Sequence, residues 1–370
     1  MSHPLNKPGL SRRDFLVGGA AVVAGAAAAS CLPDVDGRWP PDGGSALCSW
    51  SEPRITPAVP AAPVVEVTNT NLVQAPPNVK IVEAQVRPTL KELLGAITGE
   101  TEEGKAWQRL LGAYTPGQVV GIKVNTLNAK VPTHPEIVRE LVLSLKMVVA
   151  GADIVVWDRR LDELARAGFT ESYIGCRVVG TQDDPQSQGN GPGYEAEGVC
   201  FGSERARLSR LITRPGKDGG IDHLINFAVL KNHLASGFTG VLKNHYGTFH
   251  NPGTFHDRVD PGDGHVLERR FEQAIPTINA VPEVAKKSRL WLVDGTIVVA
   301  KGDTDSAPDT LLHSIFGSLD PVALDTHCRD ARNKAGGGDG DSTSDGWLKA
   351  CERVGLGKAS GFTLDSRKIG

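Results

Sequence analysis

The chain has 370 residues, 40% of them hydrophobic, with 43 glycines, 24 prolines and a formal net charge of −3. That length supports one large domain or two small ones, and the Gly and Pro content favours many turns and long loops over a helical bundle. A mildly acidic chain with no basic run beyond its first residues argues against nucleic acid as a partner.

The amino terminus reads as an address. Ser11-Arg12-Arg13-Asp14-Phe15-Leu16-Val17 opens a weakly apolar Ala/Gly run that stops at Ser30-Cys31. An arginine pair before Phe-Leu resembles the signal of the twin-arginine export machinery, which moves proteins already folded; Val17 stands where Lys is usual. Residues 1–30 are therefore expected to be a signal peptide and the protein to work in the periplasm or on the outer face of the membrane. The apolar run is too short and too rich in Gly and Ala to remain as a spanning helix, and no later stretch is long enough. Ala28-Ala29-Ser30-Cys31 is compatible with lipidation of Cys31, which would tether the mature protein, and equally with ordinary cleavage that releases it. Removing residues 1–30 takes away a net +2 and leaves the mature chain at −5.

Residues 31–63, rich in Pro, Ala and Gly without periodicity, read as a flexible linker, and residues 64–370 as a single α/β domain. The cysteines Cys31, Cys48, Cys176, Cys200, Cys328 and Cys351 form no C-x-x-C pair, so neither a zinc ribbon nor an iron–sulfur cluster is expected on this chain. Isolated buried thiols are the expectation, with Cys176–Cys200 or Cys328–Cys351 as the sequence-local disulfide candidates.

The first strand is expected at Val64-Val65-Glu66-Val67, and Val119 to Val124 reads as the next. Thr133-His134-Pro135-Glu136 offers a capping box for a helix running through Leu141 and Leu145 to Gly151. Ile154 to Asp158 completes a βαβ unit. Thr181 to Gly198 reads as a long surface loop. A second set follows, with His223–Leu230 as a strand, a helix from Leu267 to Lys287, and Leu290–Val293 as a strand. Asp320-Pro321 starts a late helix as N-cap and N1, and the glycine-rich stretch 336–341 reads as a mobile loop. The alternation predicts a mixed or mostly parallel sheet flanked by helices.

Polar residues collect where these strands end: Lys123 and Asn125, Asp158, Lys231-Asn232-His233, and Asp294-Gly295. Open α/β sheets bind ligands at that edge. The order Lys123-Val124-Asn125, Thr133-His134-Pro135-Glu136, Leu230-Lys231-Asn232-His233, Thr239-Gly240-Val241-Leu242-Lys243-Asn244, Val293-Asp294-Gly295 and Asp320-Pro321-Val322-Ala323-Leu324-Asp325 resembles the bacterial domain-of-unknown-function family 362. The resemblance covers roughly residues 64–370. It implies a single α/β domain and brings no settled reaction. Some members carry twin-arginine signals and some are fused to ferredoxin modules, so cluster chemistry here would belong to a redox partner.

Two constellations carry chemistry. Six of the ten histidines lie within residues 223–265. Imidazole is the commonest ligand for zinc and iron, so a transition metal on His233, His256 and His265 is one expectation, with Asp257, Asp294 or Asp325 completing the shell. The second is Lys123, Lys231 and Lys243, each beside an asparagine. Convergent Lys and Asn groups can hold a carboxylate or phosphate, and a desolvated Lys can act as base or nucleophile. Equally, these lysines could pair with Asp294 and Asp325 as buried salt bridges. The sequence thus predicts a metal-assisted enzyme for a small anionic substrate, with Lys123, Lys231, Lys243 and Asp294 catalytic and Asn125, Asn232, Asn244 and Asp325 binding ligand. The alternative is a non-catalytic metal-binding or accessory protein for an iron–sulfur or cytochrome redox partner.

Overall fold

The computed structural model describes residues 48–56, 58–182, 189–202, 204–260, 265–338 and 341–370. The expected signal peptide, Cys31 and much of the expected linker lie outside the described residues. No helix among the described residues is long and apolar enough to cross a membrane.

The strands in chain order are β1 (Val64–Asn69), β2 (Val120–Lys123), β3 (Ile154–Asp158), β4 (Arg177–Gly180), β5 (Tyr194–Phe201), β6 (Glu204–Ser209) and β7 (His223–His233). They continue with β8 (Gly237–Thr239), β9 (Arg258–Val259), β10 (Val266–Glu268), β11 (Ser288–Val299), β12 (Thr310–Ser318) and β13 (Leu364–Ile369). Nine of them make one sheet in the order β13-β1-β12-β11-β7-β2-β3-β4, with β8 folded back on β7. Along that path only β12 runs against its neighbours, so the sheet is mixed and mostly parallel, as the sequence predicts.

Both faces are buried. Leu224, Ala228 and Leu230 of β7 join one apolar core, while Ile225 and Phe227 join the other. This is strand alternation with helices on each side. The helix Pro135–Leu145 shows the matching periodicity: Ile137, Val138, Leu141, Val142 and Leu145 are buried on one stripe.

The topology singles out one crevice. From β2 the chain steps outward to β3 and β4, then returns on the other side of β2 as β7 and continues to β11. Connections therefore leave β2 and β7 in opposite directions, and the carboxyl edge between them is where an open α/β sheet leaves room for a ligand.

Several expectations need correction. β7 runs to His233, because Lys231, Asn232 and His233 pair with β8. β11 runs on to Val299 through β-branched Ile297, Val298 and Val299, with a register shift against β12 after Gly295. The capping box at Thr133 does not form. His134 is the N-cap, Thr133 Oγ1 is spent on Asn125 N and Phe227 O, and the carboxylate of Asp294 caps the His134 amide. The expected helix over Leu267–Lys287 is split. Val266–Glu268 forms a ribbon with β9, the helix proper is Phe271–Ala280, and Pro282 starts a separate turn. Within the expected loop 181–198, β5 already begins at Tyr194. Asp320 does cap its helix, accepting from the amides of Val322 and Ala323.

Neither sequence-local disulfide forms. Cys200 pairs with Cys48, and Cys176, Cys328 and Cys351 are buried free thiols. The described part of the expected linker is strapped to the domain: Trp50 Nε1 donates to Thr277 Oγ1, and Ile55 N and Val59 N donate to the carbonyls of Val354 and Gly355.

Candidate functional site

At the carboxyl edge between β2 and β7 lies an open cleft. Its walls carry Lys123, Asn125, Asp158, Glu163, His233 and Lys243, with Tyr246, Gly247 and His256 on the loop after β8.

Lys123, the last residue of β2, is wholly buried. Its Nζ donates to Asp158 Oδ1 at 2.6 Å and to Val124 O at 2.7 Å. Asp158 also accepts from Thr126 N and Oγ1, both at 2.8 Å, and from Arg159 N at 2.7 Å. Burial opposes ionisation of Asp158, but Lys123 and these donors win and hold the carboxyl below its ordinary range. Lys123 is therefore an ion-paired structural cation, with Asp158 as its partner in place of the Asp294 or Asp325 considered from sequence. Gly247 lies directly over the pair: a Cβ there would stand 2.8 Å from both Lys123 Nζ and Asp158 Oδ1.

Lys231 is different. It too is wholly buried, yet its Nζ has one acceptor, Asn125 Oδ1 at 2.7 Å, and no carboxylate within ion-pairing distance among the described residues. Burial pulls its pKa down to about 7; Asp158 pulls the other way and Lys243 adds to the descent. Asn125 hands the bond on, its Nδ2 donating to Asn244 Oδ1 at 3.2 Å, and Asn244 Nδ2 donates to Asn226 Oδ1 at 2.8 Å. Lys243, 6% exposed, sets its ammonium over the ring of Tyr246, 4.6 Å from the centroid, and 5.5 Å from that of Phe271.

The same cleft is lined by Glu163, in the first turn of the helix Leu161–Arg166 that follows β3. Burial raises it to about 7 although Arg159 works against the rise; the closest Arg159 nitrogen is 3.6 Å away. One cleft thus holds a carboxylate kept ionised and a carboxyl that is half protonated near neutrality, a division of labour found where acid–base chemistry is done.

Of the three expected metal-binding histidines, two meet. His233 and His256 stack with centroids 5.5 Å apart, whereas His265, just before β10, is exposed and not among the cleft walls. The other clustered histidines are tied to the scaffold: His250 Nδ1 accepts from Arg207 N, His223 bonds Gln118 and Arg289, and His245 bonds Thr248. No group of three metal-binding side chains occurs among the described residues.

Asp257, Asp294 and Asp325 are all occupied by backbone amides. Asp257 accepts from Phe271 N, Asp294 from His134 N and Thr296 N, and Asp325 from Val241 N and Leu242 N. Asp294 also holds His134 Nδ1 at 2.7 Å. Asn232 Nδ2 donates to Gly302 O at 2.6 Å and its Oδ1 accepts from Arg332. Asp294, Asp325 and Asn232 therefore build the scaffold around the cleft and are not among its walls. Sequence reasoning missed Glu163, Asn226 and Tyr246. For Glu163 a signal existed: it sits five residues past Asp158, at the helix start that faces a strand's carboxyl edge.

No curated protein matches the chain in sequence. The profile of a family described as Domain of unknown function (DUF362) matches residues 120–330, from β2 through most of the helix Pro321–Lys334. That span holds the whole cleft wall described above and more than half of the chain, and the protein belongs to this family.

Proposed function

We propose that the protein is an exported enzyme that holds a small organic anion in the β2–β7 cleft and moves a proton on it. The observation that carries the reading is Lys231: a wholly buried amine with no carboxylate within ion-pairing distance among the described residues. Such a cation is costly until an anion arrives, and Lys243 on the cleft wall gives that anion a place to sit. Glu163, with a pKa near 7, is the group suited to give or take the proton.

The metal expected from sequence has no part in this reading, and the reason is donor chemistry. His233 Nδ1 accepts from Ala235 N and Ser236 N, which puts the ring's proton on Nε2 and removes the lone pair a metal would need there.

Titration calorimetry with small carboxylates and with inorganic phosphate tests the reading. Binding is expected for wild type and lost in Lys243→Met. Bound acids followed by NMR in deuterated water are expected to exchange a proton, and Glu163→Gln to bind without exchange. Wild-type binding without exchange would reduce the site to a carrier; no binding at all would sink the proposal.

The export half rests on Arg12-Arg13 and is supported by the Cys48–Cys200 disulfide, a bond suited to an oxidising compartment. Replacing both arginines by lysine is expected to leave the protein in the cytoplasm; unchanged export would refute it.

A further inference from the structure

The two stacked imidazoles do not present the same face to a ligand. His233 Nδ1 receives the amides of Ala235 at 3.2 Å and Ser236 at 3.3 Å, so its Nε2 carries the hydrogen and donates. His256 Nδ1 donates to Pro252 O at 3.1 Å, so its Nε2 keeps the lone pair and accepts. Burial and the neighbouring Lys243 hold both rings neutral, which preserves this division. Neither Nε2 has a hydrogen-bond partner among the described residues, and both rings line the cleft. Thr239, 5% exposed and on the same wall, has a buried hydroxyl with no partner.

A donor and an acceptor side by side call for a group that does both. A hydroxyl donates one hydrogen bond and accepts others, whereas a carboxylate or ketone only accepts and a methylene does neither. One hydroxyl oxygen with bonds of about 2.8 Å on each side, set at its near-tetrahedral angle, bridges two nitrogens about 4.6 Å apart. The two rings that would flank it stack with their centroids 5.5 Å apart. The charge has its own place beside them. Tyr246 and Phe271, which carry the Lys243 ammonium, also contact His256, with ring centroids at 5.6 and 5.1 Å.

We propose that the cleft is specific for a hydroxycarboxylate, its carboxylate drawn to Lys243 and its hydroxyl set between His256 Nε2 as acceptor and His233 Nε2–H as donor. This rests on the anion reading above and adds the chemical class of the substrate. His233 and His256 become residues that choose the ligand by its hydroxyl.

The test is calorimetry with acids matched in skeleton and differing only at one carbon: lactate, propionate and pyruvate, then malate, succinate and oxaloacetate. The hydroxy acid of one set is expected to bind about ten-fold or more tighter than both its deoxy and its oxo counterparts. In His256→Phe that preference is expected to shrink to near unity while the deoxy acid keeps its affinity. Equal affinities across each set, with binding still lost in Lys243→Met, overturn the hydroxyl preference and leave the anion site standing. No binding by any of the six overturns both. Should His256→Phe fail to fold, the wild-type comparison decides alone, and a preference that survives in a folded His256→Phe refutes the role given to the histidines.

Discussion

Lys231 Nζ donates to Asn125 Oδ1 at 2.7 Å, and through Asn125 the buried amine is one side chain behind the cleft wall. The bond satisfies one of three ammonium donors. Burial, with Lys243 and Lys123 nearby, outweighs the pull of Asp158 and Glu163, so the site stores an electrostatic cost that an anion can relieve.

That cost has a pH signature. The folded pKa of Lys231 is near 7, against an ordinary value of 10.5. Between those values the unfolded chain binds the proton and the folded one does not, so stability rises with pH across the window. Below pH 7 both states are protonated and the full penalty, on the order of a few kcal/mol, applies. Lys231→Met is therefore expected to be more stable than wild type at pH 6 and to lose that advantage as the pH approaches 10. Urea unfolding at a series of pH values measures it; a pH-independent difference between the two proteins refutes the buried-cation account.

Glu163 gives a second pH window, of opposite use. Raised to about 7 from 4.5, it is protonated below neutrality, where it does not repel an anion in the cleft. Anion affinity is expected to fall as the pH rises through 7 in wild type. In Glu163→Gln this step should vanish and leave only the part due to Lys231. Calorimetric affinities from pH 5.5 to 8.5 read the difference directly.

The Lys123–Asp158 pair predicts strong asymmetry between its possible variants. Asp158→Asn leaves a wholly buried ammonium without its counter-ion and should cost about 3–5 kcal/mol. Replacing both residues together, as Lys123→Met with Asp158→Leu, should cost less than Asp158→Asn alone, because no charge is stranded. Gly247→Ala reaches the same pair from above, since its Cβ would stand 2.8 Å from each partner. It is expected to destabilise the fold and to weaken anion binding together. Chemical denaturation of the four proteins settles the order.

The frame of this site was legible in the sequence, and its personnel only in part. Strand ends at Lys123 and Asp158 could be read because apolar β-branched runs stop there, and a ligand edge follows from an α/β alternation without any coordinates. What could not be read is which carboxylate meets which amine. Asp294 and Asp325 have the right chemistry at plausible positions, yet both spend their oxygens on backbone amides. That choice depends on loop paths that local patterning does not specify. The same holds for the histidines: crowding in sequence between His223 and His265 says nothing about where each ring points, and one loop carries His256 to His233 while a ribbon carries His265 away. Asn226 was invisible for a simpler reason. A polar residue inside an apolar strand declares itself only when its partner, Asn244, arrives from 18 residues downstream.

Cys48 bonds Cys200 at the end of β5, and the next residue, Phe201, meets Phe249 and Phe255 edge-on at 5.3 and 5.4 Å. Tyr246, on the cleft wall, donates its hydroxyl to Phe255 O. The disulfide thus ties the described part of residues 48–63 to the aromatic cluster that supports the His256 loop. It closes a span of 152 residues, and removing such a link typically costs about 2–4 kcal/mol. Reduction should lower Tm in wild type and leave Cys48→Ser unchanged, since that variant has no bond to lose. Hydrogen exchange should show the amides of Ile55 and Val59, which hold the strap to Val354 and Gly355, opening first. If wild type melts at the same temperature reduced and oxidised, the strap is held by its hydrogen bonds and apolar contacts alone, and the disulfide adds nothing to the cleft's support.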